Sequence, residues 1–148
     1  MKPGDFRYEP LLKYKAFIEE EKMNELAEAT QKLDMEEKRL FALEEIQRCA
    51  VEELTERQTG EAAPHEILMY QTYLYHINLE IETQRKRVLE TQRLYDEKRA
   101  ALIIATQDRK IVEKVKENDK AKMTEAEKRA EKKALDETGT SRYVRENC

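Results

Sequence analysis

Catalysis needs reactive side chains at a usable spacing, and this chain offers few. His65 and His76 are its two histidines. Neither has a second histidine four residues on, the spacing that would set two imidazoles on one helical face around a metal ion. Cys49 lies beside Ala50, and Cys148 is the final residue. Neither belongs to a CxxC pair or has a histidine nearby, so neither reads as a nucleophile or a thiolate ligand. The three glycines are isolated, so no glycine-rich loop cradles a phosphate. Glu and Asp pairs are abundant, but a solvated helix surface lacks the burial that shifts a carboxyl pKa toward acid–base work. The sequence predicts no catalytic residues, no cofactor, no metal centre and no small-molecule substrate, and therefore not an enzyme.

Binding chemistry remains, in two places. The first is the aromatic cluster Met69-Tyr70-Gln71-Thr72-Tyr73-Leu74-Tyr75-His76-Ile77, apolar on more than one helical face. Tyr70, Leu74 and Ile77 fit a seam with another helix; Tyr73 and Tyr75 point elsewhere. Two readings stand for them: packing against the end of the neighbouring helix, or a docking patch for a partner helix. The second is the C-terminal segment, where residues 107–133 carry a net charge of about +3. It reads as a solvated mixed-charge surface, phosphate binding would need a denser Lys/Arg stripe, and the net charge of −4 argues against nucleic acid.

The elements that must position these residues are long helices. Charged residues make up 41% of the chain and aromatics 7%, with no Trp. Abundant Ala, Glu, Lys, Leu and Arg on a heptad-like period is a coiled-coil composition. Mixed signs and periodic apolar residues argue against disorder. The expected fold is all-α: two long helices in an antiparallel left-handed coiled-coil hairpin, the second overhanging the first. Helix 1 is placed at about 10–58, with Pro10 in its first turn and a seam of Leu11, Tyr14, Ile18, Lys22, Leu26, Ala29, Leu33, Glu36, Leu40, Leu43, Gln47, Ala50 and Leu54. Steps of three and four dominate, as a left-handed seam requires. The break is 59–64, with Gly60 suited to a left-handed C′ position and Pro64 to a helix start. Helix 2 is placed at about 65–138. Its seam runs Ile67, Tyr70, Leu74, Ile77, Ile81, Gln84, Val88, Thr91, Tyr95, Lys98, Leu102, Ala105, Arg109, Val112, and continues as Lys116, Asp119, Met123, Ala126, Ala130 and Lys133. The segment 1–9, with Pro3-Gly4, and the tail 139–148 are expected to be loose, with Cys148 mobile; the whole chain is read as one coiled-coil domain.

Register and charge sharpen this. Residues 16–58 carry about −7 and residues 65–112 about +1, which favours pairing between the helices over self-pairing of the first. In a hairpin closed between 58 and 65, facing residue numbers add to roughly 123 at the helical rise. Glu36 then falls near Arg85-Lys86-Arg87 and Lys98 near Glu25. Such polar interruptions either fix register or snorkel past the seam. Past about Val112 the seam positions turn charged or small, and at 1.5 Å per residue an overhang of ~40 Å follows. No run approaches the roughly 20 apolar residues of a membrane span, and no secretory leader is evident. The sequence reads as a soluble intracellular protein.

Leu11-Leu12-Lys13-Tyr14-Lys15 is followed by the acidic Ile18-Glu19-Glu20-Glu21-Lys22 and Leu26-Ala27-Glu28-Ala29, the tyrosine-rich start of helix 2, and Glu127, Arg129, Glu131, Lys133, Leu135, Asp136 and Glu137 with a trailing Arg142-Tyr143. In this ordered combination the chain resembles the flagellar export protein FliJ family. The resemblance covers nearly the whole chain. It implies a non-enzymatic cytoplasmic component of the bacterial flagellar type III export apparatus, acting in flagellum biogenesis, motility and chemotaxis and peripherally associated with the inner face of the cell membrane at the flagellar base. It further implies binding to the hexameric export ATPase as a central-stalk-like subunit that promotes ring assembly, with contacts to the membrane export gate protein and flagellar export chaperones. On this reading Lys116, Lys122, Arg129, Lys133, Leu135, Asp136 and Glu137 face the ATPase, and Tyr73 and Tyr75 are left for chaperones. The alternatives are a structural or tethering coiled coil that homodimerises, and the related stalk of an injection-type secretion system or a rotary ATPase.

Overall fold

The protein is described here from a computed structural model, which describes residues 7–147. The Pro3-Gly4 turn and Cys148 lie outside the described residues. Two helices make up the fold: α1, Glu9–Thr59, and α2, Pro64–Asn147. They pack against each other as an antiparallel hairpin, with no strand among the described residues.

Each helix start is built from its local sequence. Pro10 sits in the first turn of α1, where its missing N–H costs nothing, and the Leu12 amide donates to the Tyr8 carbonyl at 2.9 Å. Pro64 opens α2, and the Ala63 carbonyl accepts from the Glu66 amide at 3.0 Å. At the end of α1 the Thr59 hydroxyl donates to the Thr55 and Glu56 carbonyls, 3.2 and 3.0 Å away, satisfying acceptors that the last turn would otherwise leave open. Gly60 does not take the left-handed conformation expected of it. An added Cβ there would stand 3.4 Å from the Glu56 carbonyl oxygen, within ordinary contact distance.

The chain divides into two compact units. Glu20–Ile103, called the hairpin unit, contains the turn; the chain up to Glu19 and from Ile104 onward forms the terminal unit. In the hairpin unit Ala29, Ala50, Ile77, Ile81 and Gln84 are buried, and Lys22, Leu26, Leu33, Leu40, Leu43, Leu54, Val88, Tyr95, Lys98 and Leu102 are half-buried. These recur in steps of three and four, the geometry of left-handed knobs-into-holes packing. The pairs Glu25–Lys98 and Arg57–Glu66 fix the antiparallel register, each adding to 123.

In the terminal unit Glu19, Ala105 and Val112 are buried, and Lys15 pairs with Asp108, again adding to 123. The seam here differs from the expected one at its first positions. Leu11 and Tyr14 are exposed, while Leu12, Lys15 and Glu19 turn inward. Two adjacent leucines admit two registers, and the one that forms lets Lys15 and Glu19 reach Asp108 and Arg109.

Pairing in this unit ends with Lys116–Glu9 at 2.9 Å. Asp119 is the last half-buried residue, and every residue from Lys120 to Glu146 is exposed. The uncovered helix from 120 to 147 is ~40 Å long at 1.5 Å per residue. It does not stop at Thr138-Gly139, and the expected loose tail is helical through Asn147. One glycine in a helix costs about 1 kcal/mol, too little to end a helix without a competing cap. Gly139 has no left-handed dihedral to begin one, and Thr138 and Thr140 donate back to the Ala134 and Asp136 carbonyls.

Replacing Ile81 (3% exposed) with alanine is expected to cost about 2–4 kcal/mol, read from urea unfolding followed by circular dichroism. Met123→Ala, at a position that is 41% exposed, should stay within about 0.5 kcal/mol of the parent.

Candidate partner-binding surfaces

The seam's polar layers orient everything displayed outside it. In the hairpin unit the Gln84 side-chain amide donates to the Glu36 backbone carbonyl at 3.0 Å and to the Glu36 carboxylate. Glu36 therefore meets the residue just before the basic run, and its partner is an amide; Arg85 takes Glu44 at 3.6 Å instead. The Gln47 amide donates to Asn78 at 2.6 Å. Lys98 reaches Glu25 at 3.3 Å, and Lys22 reaches the same carboxylate at 3.4 Å. The hydrogen bond from Lys98 is the largest influence holding the Glu25 carboxyl below its ordinary value of 4.5, against an opposing desolvation. Next to the turn, the Arg57 guanidinium lies 5.1 Å from the Tyr70 ring centroid and 2.9 Å from Glu66. In the terminal unit Arg109 is hydrogen-bonded to Glu19 and to Glu113, which hold its pKa above the usual arginine value and keep Glu19 paired at 9% exposure. Periodicity places Arg109 on the seam, but the register beginning at Leu11 hides its partner Glu19.

The first surface is the uncovered helix. At about 100° per residue, Lys122, Arg129, Lys133, Asp136 and Glu137 fall on one face. Arg129 bonds Glu125 at 3.0 Å; all five are exposed. Lys116 and Leu135 do not join them. Lys116 is half-buried against Glu9 at the end of the paired stretch, and Leu135, 72% exposed, projects from the opposite side.

The second surface lies after the turn. Tyr73 and Tyr75 are two residues apart on a helix, about 200° around its axis, so they do not form one patch. Tyr73, 48% exposed, lines a shallow groove with Ile46, Cys49 and Ala50 of α1. Tyr75 stands on the outer face near Leu68 and Leu79, with its ring edge-on to His76 at 5.7 Å.

A third surface was missed by the seam reading. In the terminal unit Leu11 and Tyr14 of α1 and Ile104, Ile111 and Val115 of α2 are all exposed, on the same side of the pair in the observed register. Their signal in the sequence is an apolar residue one position before a seam residue: Ile104 before Ala105, Ile111 before Val112, Val115 before Lys116. Contiguous exposed apolar side chains on two adjacent helices form a face that a further helix can cover.

Among the described residues no cluster of His, Cys, Asp and Glu could hold a metal ion, and no helix is long and apolar enough to cross a membrane. A thin helical hairpin with open grooves and several unpartnered faces defines a protein that works by being held. The family described as flagellar FliJ protein matches residues 4–147, and the chain belongs to that family. It is accordingly a component of the flagellar export apparatus, in a family of non-catalytic export components, and serves flagellar protein export and motility. No curated protein and no solved structure gives a significant match.

A carboxyl with a lower pKa folded than unfolded contributes stability above its unfolded value, and that contribution is lost as pH falls through the folded one. The thermal stability difference between the parent and Lys98→Met should therefore be present above about pH 5 and shrink as the solution is acidified below the Glu25 value. Circular dichroism melts of both proteins across that range measure it.

Proposed function

We propose that this chain is a central-stalk-like subunit of the hexameric flagellar export ATPase, promoting ring assembly and linking the ring to the membrane export gate and to export chaperones. The observation that carries this reading is the uncovered helix beyond Asp119 in a member of a flagellar export family. A helix whose residues from Lys120 to Glu146 are all exposed is free to enter a ring of partner subunits. The face of Lys122, Arg129, Lys133, Asp136 and Glu137 is assigned to the ATPase. It presents both charge signs, which suits polar register-setting contacts more than a purely electrostatic attraction. Lys116 marks the base of the free segment, and Leu135 offers an apolar contact on its other side. Tyr75 with Leu68 and Leu79 is assigned to chaperones, with Tyr73 contributing from its groove. The protein works in the cytoplasm, peripherally associated with the membrane at the flagellar base.

One observation favours a second reading. The apolar face of Leu11, Tyr14, Ile104, Ile111 and Val115 would suit a homodimer, which would make the protein a tether. Sedimentation at micromolar concentration separates the two: a monomer supports the stalk and an obligate dimer the tether.

Titrating the protein into its cognate export ATPase, below the concentration at which rings form alone, is expected to stimulate ATP hydrolysis. A chain ending at Asp119 should not stimulate. Joint alanine replacement of Arg129, Lys133, Asp136 and Glu137 should abolish binding while leaving helicity unchanged. Unaltered binding by that variant would remove the assignment of this face.

A further inference from the structure

In the hairpin unit a groove of about 340 Å³ runs beside the seam, with Arg39 and Leu43 of α1 on one wall and Glu80, Thr83, Gln84 and Arg87 of α2 on the other. Arg39 and Arg87 flank the Glu36–Gln84 layer, one residue before Leu40 and one before Val88, both half-buried in the seam. In an antiparallel pair, side chains flanking the seam on the same side meet across it, and natural pairs there carry opposite charge. Here Arg39 and Arg87 line one groove, their numbers adding to 126, three residues off the register of the ion pairs. Neither guanidinium forms an ion pair or a side-chain hydrogen bond among the described residues, although Arg48, Arg57, Arg85, Arg109 and Arg129 all do.

The other polar groups of the groove are occupied or displaced. The Gln84 amide is committed to Glu36, and the Thr83 hydroxyl donates to the Leu79 carbonyl at 3.1 Å. Glu80 lies two helical turns closer to the chain reversal than Arg87 and pairs with neither arginine. Its carboxylate closes that end of the groove to anions; in the layer between the arginines the Glu36 carboxylate accepts from Gln84, and two guanidinium charges outnumber it. Like charges facing each other across a helix pair destabilise it, and a bridging anion removes that penalty.

We propose that this groove binds a doubly charged oxyanion of the phosphate class, clasped between the Arg39 and Arg87 guanidinium groups. Each guanidinium presents a planar fork that pairs bidentately with two oxygens. Two facing forks can engage four oxygens and two negative charges, which a tetrahedral dianion offers and a single carboxylate does not. The site lies in the hairpin unit and does not depend on the ATPase reading.

The test uses the full-length protein and inorganic phosphate, with sodium chloride at matched ionic strength as the control. Isothermal titration should detect saturable phosphate binding, and the thermal midpoint should rise by about 2 °C over chloride at saturating phosphate. The double variant R39Q/R87Q replaces two exposed side chains and should lose both responses while remaining helical. R87E places a carboxylate opposite Arg39; it should raise the midpoint in chloride and abolish the phosphate increment. Equal midpoints in phosphate and chloride, a phosphate response retained in R39Q/R87Q, or an unchanged midpoint for R87E in chloride would each overturn the proposal.

Discussion

Two helices alone cannot surround a side chain. Each seam residue is covered by one partner and open to water along its flanks, so a hairpin of this kind has a contact line and no interior. The burial pattern follows. The least exposed residues include Ala29, Ala50 and Ala105, small enough to be covered from one side, together with Ile77, Ile81 and the flat amide of Gln84. No large side chain among the described residues is wholly enclosed. With apolar burial so shallow, register is held by cross-helix polar contacts, of which Glu36–Gln84, Glu19–Arg109 and Glu9–Lys116 are the most shielded. Losing one of these partners in a half-wet seam lets water reach the other, so they select one alignment more than they add to its depth.

The same constraint decides where binding is possible. A line of contact leaves most of each helix surface available, and mixed charge keeps that surface soluble except where apolar residues collect. They collect beside the seam in the terminal unit, and on the outer face near Tyr75 in the hairpin unit. Family membership places the molecule in an export machine, and these faces, with the uncovered helix, are what it has to offer other components.

Much of this could be read from the residues, and the failures have physical causes. The α2 seam from Ile67 to Asp119 is half-buried or buried at every expected position, because a three-four pattern on one helix is a local signal that any antiparallel partner preserves. The start of α1 could not be read the same way. Leu11 and Leu12 are equivalent by hydropathy, and the choice between them is made by Asp108 and Arg109, about ninety positions away in the chain. Gly60 and Gly139 misled for one reason: a glycine permits a left-handed residue without requiring it. The separation of Tyr73 from Tyr75 was available from helical geometry, whereas the fate of Tyr73 depended on Ile46 and Cys49 across the turn. On the uncovered helix the shared face of Lys122, Arg129, Lys133, Asp136 and Glu137 follows from spacing, and all five are exposed. Arg39 and Arg87 became a pair only once the register was fixed.

The boundary at Asp119 also divides the chain by how it tolerates changes in length. Adding or removing one residue within a paired stretch rotates everything beyond it by about 100° and slides the seam out of alignment. Past Asp119 there is no seam to misalign. There an insertion only moves the end outward by about 1.5 Å per residue and turns its faces, so the reach of the free helix is a dimension that evolution can adjust without disturbing the rest of the fold.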